Sequence, residues 1–212
     1  MEEEKEHLDN LAEIRTLMER STRFISLSGL SGISAGICAL VGAGVAFRYF
    51  GYNYYFPEYY RFIFTEARLV RLDFLQFLFL LSFCVLTAAL ALGFLFTWRR
   101  TKEKGGSMWD VSTRRLLLNL AIPLVAGGIY CLFLLMHGEV YLLAPTTLIF
   151  YGLALINASK YTLNDIRYLG ISEIILGLIG SVYVGYGLVF WAVGFGILHI
   201  IYGTLMYFKY ER

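Results

Sequence analysis

The sequence predicts an all-α protein: a polytopic bundle of about six transmembrane helices, both termini cytoplasmic, with a cytoplasmic amphipathic helix ahead of the first span. Three observations predict it. The 212 residues are 58% hydrophobic and only 16% charged, with a mean hydropathy of +0.63. The apolar residues fall into runs near or above the length of about 20 that crosses a hydrocarbon core of roughly 30 Å. Lys and Arg gather in alternate connections between those runs. A soluble domain is usually about 45–50% apolar and about 25% charged, and a chain this short cannot hide the excess in one water-facing core. The net charge of +2, with no basic cluster beyond the flanks of apolar runs, gives no reason to expect a nucleic-acid partner.

Residues 1–23 are dense in charge, yet Leu8, Leu11, Ile14, Leu17 and Met18 recur at helical spacing, which predicts the amphipathic helix. The segment is too long and too acidic for the start of a cleavable signal peptide, so the first span is expected to remain as an anchor. The spans are then read at 24–47, 73–98, 116–137, 140–158, 168–186 and 188–208, followed by a short cytoplasmic tail at 209–212. Tight turns are needed at His137-Gly138-Glu139 and near Tyr186-Gly187, because one helix of more than about 40 residues would overrun the bilayer. Pro123 and Pro145 fall inside the third and fourth spans, where membrane helices accept proline with a kink.

Orientation follows from counting cations. With the amino terminus inside, Lys5, Arg15, Arg20, Arg23, Arg99, Arg100, Lys102, Lys104, Arg114, Arg115, Lys160, Arg167, Lys209 and Arg212 lie on the cytoplasmic side. Arg48, Arg61, Arg68 and Arg71 lie outside. Fourteen against four favours both termini in. The one long outer connection, 48–72, is rich in Tyr and Phe, and Pro57 is placed to open a short helix there. Such a helix suits the headgroup level, where aromatic rings are enriched.

Ionisable residues inside a span are expensive and mark candidate functional sites. Glu173 lies in the fifth span, about 9 Å along from Arg167, and His199 in the sixth, about 15 Å from Lys209, at 1.5 Å per residue. Gly177 and Gly180 share the face of Glu173, and Gly196 and Gly203 that of His199. Small residues mark the side of a membrane helix that packs on another, so both polar groups are expected to point into the bundle. Gly32 and Gly36 give the first span a similar face, with Ser31 beside them. Asn119 and Asn157 also lie near the inner ends of their spans. The expectation is a polar, glycine-lined region in the inner half, built from spans one, five and six, with Tyr202 as a candidate hydroxyl partner. The same small-residue faces can equally pair two copies of the chain.

Enzymatic constellations are missing. Gly29-Leu30-Ser31-Gly32 spells the G-x-S-G of the rhomboid proteases, but on the wrong span and at the wrong depth. His7, His137 and His199 cannot assemble a multi-histidine metal site, and no H-E-x-x-H, paired intramembrane Asp or phosphate-binding glycine loop occurs. Cys38, Cys84 and Cys131 lie singly in apolar runs and read as small buried hydrophobes. No cofactor or metal is expected.

Three stretches, 21–36, 157–173 and 199–212, resemble a family of small bacterial six-span membrane proteins of uncharacterised activity. Its genes often stand beside a small winged-helix transcription regulator. The resemblance covers essentially the whole chain and implies the topology and a regulatory partnership; it carries over no site residue. Together these readings favour a non-enzymatic sensing or accessory protein of the bacterial inner membrane, in contact with lipids and a cytoplasmic protein partner. A small transporter or channel using the region around Glu173 and His199 is the alternative, and a lipid-modifying enzyme the second. A cysteine introduced into the 99–115 connection should be labelled by an impermeant maleimide only after cells are opened; labelling in intact cells would reverse the topology.

Overall fold

The structure, a computed structural model, describes residues 27–50, 70–105 and 107–212. The amphipathic helix expected over 1–23 and most of the aromatic connection, with Pro57, lie outside the described residues. The described elements are helical. Helix α1 is Gly29–Phe50, α2 is Leu72–Glu103 and α3 is Val111–Met136. Helix α4 is Leu143–Ala158, flanked by the 3-10 turns Val140–Leu142 and Ser159–Tyr161. Helix α5 is Asp165–Val182. The last helix, α6, runs over Gly187–Tyr210; it is π-helical over Ala192–Leu198 and α-helical on either side.

Five helices (α1, α2, α3, Val140–Tyr161 and α6) are long and apolar enough to cross a membrane. The 18 residues of α5 carry Asp165, Arg167 and Glu173 and measure about 27 Å, so this expected span is the shortest and most polar. The 32 residues of α2 measure about 48 Å, longer than the hydrocarbon layer. Leu86 is 58% and Ile122 67% exposed, near the centres of α2 and α3. A broad apolar exterior of this kind is unfavourable in water and suits lipid contact.

Local chemistry sets the helix ends. The Asp110 side chain accepts a hydrogen bond from Thr113 N at 2.6 Å and caps α3. The turn after α3 falls at 137–139 as expected, with Gly138 at φ +76°, where a Cβ would be strained. The turn between α5 and α6 occupies residues 183–186 and hinges on Gly185 at φ +108°, a little earlier than Tyr186-Gly187. Gly187 instead starts α6 against Ala144. Pro145 also differs from expectation: it lies in the first turn of α4, where backbone N–H groups have no intrahelical acceptor, so it requires no kink. Pro123 is inside α3.

Neighbouring helices run antiparallel. Helix α1 lies between α2 and α6, and α4 lies between α3 and α5. Two glycine seams hold these layers. In the first, Gly29 and Gly32 of α1 face Gly203, and Gly36 faces Gly196, so that backbone meets backbone. In the second, Gly152 and Gly170 face each other's helices, and Gly177 meets Pro145 and Ile149. These glycine faces are therefore engaged within one chain. Cys84 is exposed and Cys38 and Cys131 only partly buried, which corrects the expectation of three buried thiols; α2 is an edge helix and much of its surface faces outward.

The ends bearing most of the described Lys and Arg gather at one end of the bundle, here the basic end. Residues 209–212, expected as a tail, help close it. Glu211 accepts from Gly29 N and from Ser28 Oγ and pairs with Arg100. Asp165 accepts from Tyr210 OH at 2.6 Å and from Lys209 Nζ at 3.1 Å. Burial alone would raise the Asp165 carboxyl, but these donors outweigh it and hold its pKa below the usual carboxylate range.

The first seam makes a specific demand. A Cβ on Gly203 would approach Ile33 N at 2.6 Å and Gly29 O at 2.7 Å, both backbone atoms, whereas Gly128 has nothing within 4 Å. Gly203→Ala should destabilise the folded protein by about 1–3 kcal/mol, and Gly128→Ala should lie within about 1 kcal/mol of wild type, measured by denaturation in detergent micelles.

Candidate functional site

The second glycine seam determines where Glu173 goes. Gly170 and Gly177 let α5 approach α4 at backbone distance, and residue 173 shares their face one turn from each. The Glu173 side chain is thereby carried inward and is fully buried. Across from it, Gly194 of α6 has no side chain, and a Cβ there would collide with Glu173 Oε2 and reach Leu148 Cδ2 at 2.5 Å. Leu148 is itself fully buried. The carboxyl thus occupies the volume that Gly194 leaves empty.

His199 begins the α-helical part of α6, directly after the π-helical segment. A π segment adds a residue to the turn and is frequent at functional sites. Here it sets the imidazole among three groups. His199 Nδ1 is 3.0 Å from Gly194 O and 3.4 Å from Glu173 Oε1, and Nε2 is 2.8 Å from Tyr151 OH. A carbonyl oxygen only accepts, so Nδ1 carries the proton and donates to Gly194. A neutral ring then accepts at Nε2 from the Tyr151 hydroxyl; a charged ring donates to it. Phe195 closes the side, its ring 4.9 Å from Tyr151 and 5.9 Å from His199 between centroids.

Neither carboxyl oxygen of Glu173 has a hydrogen-bond partner among the described residues. A bare carboxylate in an apolar interior is strongly unfavourable, so this group either holds its own proton or faces a charged imidazole. Hydroxyl, imidazole and carboxyl stand in the order of an acyl-transfer triad, but Nδ1 is engaged by Gly194 O at the shorter distance. The carboxylate does not orient the ring as such a triad requires. The arrangement is suited to holding and passing one proton between Glu173, His199 and Tyr151.

The expected site is partly assembled and partly redistributed. Glu173 and His199 do meet. Tyr202 packs instead beside the apolar cluster of Leu155, Leu169 and Met206, and the hydroxyl on the imidazole is that of Tyr151. Asn157 donates to Asn119 O at 2.9 Å, and Asn119 to Arg115 O at 2.8 Å, which ties α3 to α4. Ser31 donates to Ser28 O at the start of α1. The polar region is therefore built from α4, α5 and α6, and α1 contributes to it through the glycine seam with α6. The Gly194-x-Gly196 spacing just ahead of His199 is the signal that could have pointed to Gly194; nothing in the spacing singles out Tyr151. Among the described residues no three His, Cys, Asp or Glu converge in a way that could hold a metal ion.

Comparison with protein families, curated proteins and solved structures finds no match to the chain. What the fold and site define is a helical bundle compatible with a membrane protein, enclosing a buried carboxyl–imidazole–phenol cluster.

The fit between Gly194 and Glu173 is measurable. Gly194→Ala should destabilise the protein by about 1–3 kcal/mol. In a Glu173→Ala background the same change should be milder, with a coupling of about 0.5–3 kcal/mol in a double-mutant cycle of unfolding free energies. Additive effects would separate the two residues.

Proposed function

We propose that the chain is a six-pass protein of the bacterial inner membrane, amino and carboxyl termini cytoplasmic, with a non-enzymatic sensing or accessory role carried out with a cytoplasmic protein partner. The Glu173–His199–Tyr151 cluster is its responsive element. One observation carries this reading: a fully buried carboxyl without a hydrogen-bond donor among the described residues, wedged against the π-helical segment of α6. A change in its protonation changes what His199 Nδ1 bonds, and Gly194 O is part of the helix register. The π segment thus supplies a two-state element that a local charge can bias. The excess of Lys and Arg on the basic end supports its cytoplasmic placement, and the resemblance to a family encoded beside transcription regulators supports a regulatory partner.

A small transporter or channel is the second reading, favoured by the same carboxyl, since intramembrane acids serve proton and ion pathways. Glu173 and Leu148 are both fully buried and leave no room for a Cβ on Gly194, which favours the first: the cluster is packed rather than open.

Affinity capture from membranes tests the proposal with wild type, the chain lacking residues 1–20, and Glu173→Gln. The expected result is one partner set captured by wild type, lost without residues 1–20 and altered severalfold in occupancy by Glu173→Gln. Identical profiles for all three would overturn it. Proton or solute flux in liposomes that Glu173→Gln abolishes would establish the transporter instead.

A further inference from the structure

Helix α6 changes partners at its π-helical segment. Ahead of it, Gly187–Trp191 packs on α4 and α5; beyond it, His199–Tyr210 packs chiefly on α1. Helix α2 packs on α1 and α3 on α4, while the consecutive helices α2 and α3 do not pack along each other. The described helices therefore fall into two sets. One is α1, α2 and the part of α6 that runs to the basic end. The other is α3, α4, α5 and the start of α6.

The glycine seams lie inside the sets. Gly29, Gly32 and Gly203 belong to the first, and Gly152, Gly170 and Gly177 to the second. Across the division, side chains make the contact: Tyr202 and Met206 join the cluster of Leu155 and Leu169, and Phe74 packs against Val140. Packed helices can shear over such contacts, whereas a backbone seam has no side chain to adjust. A polar contact crosses at the basic end. Asp165, in the first turn of α5, accepts from Tyr210 OH at 2.6 Å and from Lys209 Nζ at 3.1 Å. The Lys209 side chain is 59% exposed, and an exposed ion pair is weak enough to open and re-form.

We propose that the π-helical segment of α6 is a joint about which the first set moves as one body against the second, and that the contact of Asp165 with Lys209 and Tyr210 is the latch that holds the basic end closed. Sharp bends in helices arise where a π turn interrupts the regular ladder. The 12 residues of His199–Tyr210 measure about 18 Å, so a change of about 20° in such a bend carries their far end about 6 Å. Glu173 lies against Gly194 inside the joint; the inference rests on the proposed function only in taking that cluster as what moves it. Residues 1–26 continue directly into α1, so a partner held on them travels with the first set.

The test is double electron–electron resonance on the full chain in nanodiscs, with Cys38, Cys84 and Cys131 replaced by serine. Spin labels at Arg99→Cys on α2 and Arg167→Cys on α5 span the two sets. Labels at Arg114→Cys and Arg167→Cys lie within the second. All three positions are exposed. In Asp165→Asn the spanning pair should gain a second population, longer by as much as about 6 Å, while the other pair keeps its distance. Because asparagine can alter the start of α5, Lys209→Gln combined with Tyr210→Phe breaks the latch from the other side and should give the same shift. Unchanged distances in both latch variants, or equal lengthening of the two pairs, overturns the proposal. Glu173→Gln with the latch intact should also shift the spanning pair. Wild-type distances there, with both latch variants moving, would leave the joint standing and remove the cluster as the responsive element.

Discussion

Apolar helices gain little hydrophobic energy by touching one another in lipid, so van der Waals contact at close range must hold them together. The two glycine seams supply that contact. Gly29, Gly32 and Gly36 bring α1 onto the backbone of α6, and Gly152, Gly170 and Gly177 bring α4 onto α5. The edge helices α2 and α3 attach to these pairs with larger side chains, Val85 against Gly42 and Phe150 against Gly127. Helix α5 shows the dependence most clearly. It is short and carries a buried acid, and it is stable inside the bundle because α4 covers the face on which that acid lies.

The same constraint creates the polar cluster. A helix drawn in to backbone distance carries with it whatever occupies the glycine face, and on α5 that includes Glu173. The bare Cα of Gly194 then provides the volume for its carboxyl, and the π-helical turn that follows aims His199 at Tyr151 and back at Gly194 O. Packing and polarity are therefore one problem here. A larger residue at 194 fills the acid's place, and an ordinary α-helical turn at 192–198 would rotate the imidazole to another face.

Polar chemistry also closes the basic end, by ion pairs and helix ends rather than glycine. Asp165 sits in the first turn of α5 and Lys209 in the last turn of α6, each complementing the dipole of its helix. Glu211 does the same for α1 while neutralising part of the charge on Arg100. Residues 209–212 thereby join α1, α2, α5 and α6, although their charge and position alone read as a solvated tail.

Much of the fold was legible because it depends on composition and order along the chain. Apolar run length marked the helices, Gly138 marked one tight turn, and small-residue periodicity marked the faces of α1, α5 and α6 that pack. Glu173 and His199 stood out because charge inside an apolar run is rare and expensive. Gly185 rather than Gly187 as the hinge was not legible, since two glycines so close in sequence satisfy the same turn signal. Pro145 was read as a kink because its place in the first turn depends on where the preceding 3-10 turn ends. Run length, glycine spacing and charge thus determined, without a structure, that this chain makes long apolar helices with small packing faces and a buried acid and imidazole. Tertiary structure alone decided which helices are neighbours, and so that Tyr151 rather than Tyr202 meets His199, that Gly194 houses Glu173, and that Glu211 pairs with Arg100. The reason is physical: periodicity encodes which face of a helix is apolar or small, but many faces satisfy that rule equally, and the pairing is settled only when backbones close to contact distance.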